Sequence, residues 1–410
     1  MTRVFLFLFF LLTFKCVNAQ EPVADTIKYI ITVEPKDALF YQRQAKRTKN
    51  PTTSLELLKK ALSLRTLAQD ENWVADVRVE MASSLFKTGN SKQAFSELLT
   101  AEKIYTASGN NVSKAEVMVQ MARFYEKNAL WKDAVKYYQA AHKLHETAQN
   151  NSDAANISLH LADIALIQNE LTKATNDVSY AVKQYESLEN KTGLALSYVK
   201  QAEIHRRRKQ YKTGESLILN SALPFFRSTG YAAGRVGCFD VLGKIYFSQK
   251  RYSEAKWFFI QANTQARSLN DIEGIITSLI NLGRVKTTIG DYNLAKRDFK
   301  EAQTLADRRN NLFLQANVKD AYAFLYDRMG NELGAENAAG LSAELTDSLN
   351  KYSNAQAESA RTASVKLSES KKESKSATAS SKADSFQIIK LIAAAILILV
   401  VILLVLKRIK

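Results

Sequence analysis

The chain has 410 residues, 46% of them apolar and 10% aromatic, with only 14 glycines and 4 prolines. That is enough apolar surface for a large core with few helix breakers, and the hairpin signals of a β-protein are absent, so an all-α fold is expected. The formal net charge of +16 suits anionic lipid or acidic partners; the export signal described next argues against nucleic acid.

Residues 1–19 read as a signal peptide. Arg3 precedes an apolar run from Val4 to Phe14, and Val17-Asn18-Ala19 supplies a small-residue cleavage site. Cys16 follows Phe14 and Lys15 rather than small residues, so no lipid anchor is expected. After a lead-in, 20–35, the exported chain keeps Cys238 as its one thiol. It therefore has no intramolecular disulfide, and Cys238, between Gly237 and Phe239, reads as a small buried apolar residue.

From 36 to 350 the chain repeats every 40 residues. Small residues recur in one frame at Ala82, Ala122, Ala162 and Ala202 and, after a slip of one residue, at Gly243, Gly283 and Ala323. A second small column runs through Ala94, Ala134, Ala174, Ala255, Ala295 and Ala335. Four residues on, Leu98, Tyr138, Val178, Phe259 and Phe299 follow, and then Ala101, Ala141, Ala181, Ala262 and Ala302. Asn110, Asn150, Asn190, Gly230, Asn270, Asn310 and Asn350 end successive units, as residues that tolerate a left-handed conformation after a helix. Gly89, Gly290 and Gly330 mark the turn inside a unit, and Trp131, Tyr211, Tyr252 and Tyr292 follow such turns.

The best unit holds Leu242, Gly243 and Tyr246, then Ala255, Phe259 and Ala262. This resembles the tetratricopeptide repeat (TPR), whose pattern is L-G-x2-Y followed by A-x3-F and a further Ala. The unit departs from that family in exceeding its usual length of about 34 residues, in lacking its late Pro, and in carrying Phe239, Leu279 or Met118 where the family has Trp. The resemblance implies a right-handed superhelical solenoid of about eight helix pairs, with the least regular units, 36–69 and 312–349, as caps. It also implies a concave face lined by the first helix of each pair, one, four and five residues after its small position. Those positions include Arg123, Asp163, Glu203, Arg206, Arg207, Lys244, Phe247, Arg284 and Phe324. A mixed-charge groove with a basic bias suits a protein or an extended peptide partner, an acidic one included. The run His205-Arg206-Arg207-Arg208-Lys209 is the densest basic cluster and reads first as cations at a helix C-terminus.

Residues 351–385 are rich in Ser, Ala and Lys and form a polar stalk. Residues 386–406, FQIIKLIAAAILILVVILLVL, are long enough as a helix to cross the roughly 30 Å hydrocarbon core. The basic tail 407–410 then places the C-terminus in the cytoplasm and the array outside, in a single-pass inner-membrane arrangement.

No phosphate loop, nucleophile elbow or zinc-protease motif occurs, so no enzyme, cofactor or metal is expected. Of the four histidines only His142 and His145 lie close, at i and i+3, and they read as surface residues. The order of leader, repeat array and one membrane helix is similar to the extracytoplasmic half of repeat-containing membrane sensors of Bacteroidetes-type bacteria. Two functions follow: a membrane-tethered periplasmic scaffold, or the sensing portion of a two-component or transcriptional system, either truncated here or acting through a separate partner.

Overall fold

A computed structural model describes residues 37–65, 70–351 and 355. The leader, the lead-in, the apolar segment 386–406, the basic tail and all of the stalk but residues 351 and 355 lie outside the described residues. Among the described residues there is no strand, and no helix is long and apolar enough to cross a membrane.

Among the described residues sixteen helices follow one another in antiparallel pairs. They are α1 (Ala38–Arg47), α2 (Pro51–Ser63), α3 (Glu71–Lys87), α4 (Ser91–Ser108), α5 (Asn111–Lys127), α6 (Trp131–Thr147), α7 (Asn151–Ile167) and α8 (Leu171–Ser187). Then come α9 (Lys191–Arg207), α10 (Tyr211–Leu217 continuing through Ile218–Ala222 and Leu223–Ser228), α11 (Ala232–Ser248), α12 (Tyr252–Ser268), α13 (Ile272–Thr288), α14 (Tyr292–Arg309) and α15 (Leu312–Arg328). The last, α16, covers 332–351. These eight pairs match the expected number. Helices of 17 residues, joined by turns such as 128–130 and 148–150, account for the repeat length.

The turns explain why the helices stop where they do. Left-handed backbone occurs at Gly89, Ala129, Asn169, Lys209, Lys250, Gly290 and Gly330 inside units, and at Gly109, Gln149, Glu189, Gly230, Asn270 and Asn310 between them. The next amide reaches back over the helix end, as Leu130 N–H does to the Tyr125 carbonyl at 2.8 Å and Asn190 N–H to the Tyr185 carbonyl at 2.9 Å. This corrects the expectation for Asn110, Asn150 and Asn190, which sit one residue past the left-handed position. Asn110 and Asn190 instead cap the next helix, their side chains accepting from Ser113 and Gly193 N–H. No turn occurs at Asn350, because α16 continues through it.

The one-residue slip has a physical location. On the buried face of the regular second helices the spacing is three then four, as at Val178, Ala181 and Tyr185; on α10 it is four then four, at Ile218, Ala222 and Phe226. The extra residue is absorbed in a π-helical turn over Ile218–Ala222, where Leu223 N–H bonds the Ile218 carbonyl five residues back. Pro224 follows at once and has no N–H to donate, which favours the break in the α ladder here.

The core is a set of matched volumes. A Cβ placed on Gly243 would lie 2.6 Å from the Phe259 ring, and one on Gly283 would lie 2.2 Å from the Phe299 ring. Where the first-helix residue is alanine, the facing column carries Leu98, Val178 or Ile218, with Tyr138 the larger exception, and all of these are buried. Cys238 is buried as expected, and burial pushes its thiol up to about 12.

One contact departs from nearest-neighbour stacking. The Trp131 ring at the start of α6 meets Phe313 of α15 edge to face, with centroids 5.6 Å apart. The array therefore curls far enough for its third and eighth pairs to touch.

Two outcomes are expected. Gly243→Ala destabilises the fold by about 1–3 kcal/mol in denaturant melts, and Phe259→Leu in the same chain recovers part of that loss, giving a coupling energy above about 0.5 kcal/mol. Trp131→Ala removes an aromatic pair worth about 1 kcal/mol and opens the curl, read as a larger radius of gyration in solution scattering without loss of helicity.

Candidate functional site

Successive first helices touch one another, α7 with α9, α9 with α11, α11 with α13 and α13 with α15, while second helices pack mainly on first helices. The first helices thus lie on the inner side of the curve. Each shows that side a row of residues at helical spacing, such as Glu116, Gln120, Arg123 and Lys127 on α5. The sequence reading reached only the C-terminal end of this row. Counting seven residues back along the same face adds Asp76, Glu116 and Asn156, and counting three back adds Glu80, Gln120 and His160.

Ion pairs and hydrogen bonds tie this face together from helix to helix. Gln42 Nε2 and Lys46 Nζ on α1 reach Glu80 on α3 at 2.8 and 3.0 Å. His160 on α7 lies 3.3 Å from Glu126 on α5, and Lys200 on α9 lies 2.6 Å from Asp163 on α7. Arg206 Nη1 donates to Ser248 on α11 at 3.3 Å, Asn281 on α13 donates to Asp240 on α11 at 2.9 Å, and Arg284 on α13 pairs with Asp320 on α15.

The expected concave residues fall on this network and are largely spoken for. Glu203, only 12% exposed at its side chain, accepts from Arg206 at 2.7 and 2.8 Å and from Arg207 at 2.9 Å. Burial opposes its charge, but the Arg206 hydrogen bonds and the nearby Lys244 hold the carboxyl down at about 2. Lys244 is 2.6 Å from Asp240; burial works against its charge, yet Asp240 and Glu203 keep the ammonium above its usual range. Arg207 also donates to the Leu166 carbonyl at the end of α7, and Arg208 to Thr175, so this part of the basic run serves helix ends. Phe324 lies under Arg284 and Arg328, with ring centroids 6.0 and 5.5 Å away, and Phe247 packs on Tyr252. Arg123 is exposed beside Glu126 and Tyr138. In a groove expected to be of mixed charge with a basic bias, Arg206, Arg207, Lys244 and Arg284 are thus each paired with a carboxylate.

Three hollows open on the inner side. One of about 220 Å³ is lined by Gln42, Asp76, Glu80 and Glu116, and its neighbour of about 280 Å³ by Glu116, Arg123, His145, Asn156 and His160. The third, about 440 Å³, lies at the far end between Arg284, Phe324, Asp327 and Glu336. The histidine pair needs correction: His145 is 1% exposed and His142 is half-buried against Tyr180 and Glu146, so neither is a surface residue. Among the described residues no cluster of His, Cys, Asp and Glu is arranged to hold a metal ion.

Known proteins share this architecture. Residues 43–217 match the family described as soluble NSF attachment protein, SNAP, and residues 276–308 match the tetratricopeptide repeat. The described residues form a solenoid of TPR-like helix pairs. Its solved structural relatives include a Rap protein complexed with competence and sporulation factor, at 16% identity over 81% of this chain and 92% of that one, with a TM-score of 0.55. The Rap conjugation gene regulator of plasmid pLS20, in complex with the Phr* peptide, aligns at 12% identity over 77% and 95%, with a TM-score of 0.56. Aspartyl phosphate phosphatase F from Bacillus subtilis aligns at 14% identity over 80% and 85%, with a TM-score of 0.53. At such identities the likeness is one of fold. No curated protein sequence matches the chain.

The Glu203 knot yields a pH prediction with a definite sign. Its folded value, about 2, lies below its ordinary 4.5, so its contribution is complete above 4.5 and is lost as pH falls toward about 2. Glu203→Gln should cost about 3 kcal/mol near neutral pH, because it leaves two guanidinium groups short of a counter-charge. It should also flatten the stability loss across that acid window, as read by denaturant melts at stepped pH.

Proposed function

We propose that this protein is a membrane-anchored, extracytoplasmic scaffold that binds a protein or peptide partner along the inner face of its TPR-like solenoid. The observation that carries the reading is the run of hollows on that face, presented by first helices locked to one another by side-chain bridges. Such a surface is pre-organised, so a partner loses little affinity to ordering it. Two of the structural relatives are in complexes, one with competence and sporulation factor and one with a peptide, which supports a protein or peptide partner here. The leader 1–19 and the apolar segment 386–406 support the location and the single-pass anchor. The matched charges favour a partner read by shape and by directed hydrogen bonds over one held by net charge alone.

The test places a photo-crosslinking amino acid at Gln120 or Phe247 on inner helices, or at Leu294 on an outer one, in the full chain in its native membrane. The two inner positions are expected to trap the same partner and Leu294 to trap none. Equal trapping from Leu294, or different partners at the inner positions, would overturn the reading. Protease added to the outer side should remove the array while sparing an epitope placed after Lys410.

A further inference from the structure

The second helices of the second, third and fourth pairs place an equivalent residue opposite the inner-row residue of their own first helix. In the second pair this is Tyr105, whose hydroxyl donates to Asp76 at 2.5 Å; in the fourth it is Tyr185, whose hydroxyl donates to Asn156 at 2.6 Å. In the third pair the tyrosine is replaced by His145, opposite Glu116. An imidazole is shorter than a phenol, and no bond between His145 and Glu116 forms. His145 is 1% exposed, its Nδ1 has no hydrogen-bond partner, and it lines the 280 Å³ hollow between α5, α6 and α7. Glu116 is exposed, makes no hydrogen bond or ion pair among the described residues, and borders this hollow and its 220 Å³ neighbour.

The charges around the hollow are uneven. Besides His145, the basic side chains of its lining are Arg123 and His160, and both sit beside Glu126, which lies outside the lining. Among the described residues Asp153 accepts only a neutral amide from another side chain, that of Asn150 at 2.6 Å. Among the described residues Glu116 and Asp153 thus pair with no cation, and both line the hollow together with His145, whose Nδ1 is buried without a partner. Two carboxylates therefore line the hollow as acceptors without a cationic donor.

We infer that the hollow at His145 is a subsite for a cationic N–H donor of the partner chain, an amino terminus or a Lys or Arg side chain, with Glu116 as its counter-charge. The inference rests on the inner face being the partner-binding surface and adds the chemistry of one anchor. His145 in place of tyrosine is what opens the subsite, since a phenol there would reach Glu116 and fill the space.

That substitution gives the test, because His145→Tyr restores the arrangement of the adjacent pairs and should fold at least as well as the wild type. The full-length chain, purified in mild detergent, is used to select from a displayed random dodecapeptide library, alongside His145→Tyr and Glu116→Gln. Selected peptides are then resynthesised with the amino terminus acetylated or with Lys or Arg changed to norleucine. Wild-type selections should share a cation at one position. Its removal, His145→Tyr and Glu116→Gln should each weaken binding roughly ten- to hundred-fold, the size of a charge-assisted hydrogen bond. Acetylation and norleucine distinguish an amino terminus from a side chain. Peptides that bind without a common cation, or that bind His145→Tyr equally well, would overturn the subsite while leaving the inner face as the binding surface. Selection of no peptide at all would overturn both.

Discussion

The structure depends on how closely two helices approach within each pair. Phe259 against Gly243 and Phe299 against Gly283 leave no room for a methyl group, and the pairs with alanine in that place mostly carry smaller side chains opposite. At these two contacts the helices approach closely because a glycine faces a phenylalanine ring. Close approach within a pair goes with first helices that touch and bridge one another from pair to pair. The polar network on the inner side follows from apolar packing beneath it.

That network also changes what the inner face can do. An unpaired row of Arg and Lys would attract any acidic surface at long range and lose that attraction with salt. Here Glu203 and Asp240 hold cations of their own helix in fixed directions, and Asp320 pairs with Arg284 as a strut between helices. The chemistry left free lies where a strut is missing, in the hollow beside His145 and Glu116.

The sequence carried most of the architecture, because its period, small columns and aromatic columns all derive from one packing rule. The slip between the fifth and sixth units was visible too, but its form was not: the change from three-four to four-four spacing at Ile218, Ala222 and Phe226 marks a π turn only once those residues are known to share a buried face. The turns were misplaced by one residue at Asn110, Asn150 and Asn190, because asparagine suits both the left-handed position and the cap that follows it. The groove was only half legible. Arg206, Lys244 and Arg284 lie at the positions read from the repeat frame, but their carboxylate partners come from the same helix or the next pair, and no local pattern reveals such pairing. His145 was misread because polarity alone suggests exposure. Setting it in the column with Tyr105 and Tyr185 would have pointed to burial.

The contact between Trp131 and Phe313 gives the array a property that a simple stack lacks. In a one-dimensional repeat protein the end units fray first, each held only by its neighbour. A link from the third pair to the eighth joins units far apart in sequence, so the terminal pair cannot peel away without also breaking an aromatic contact near the other end. Folding is then complete only when both regions are in place, and cooperativity extends over a span that nearest-neighbour coupling alone would divide into independent segments.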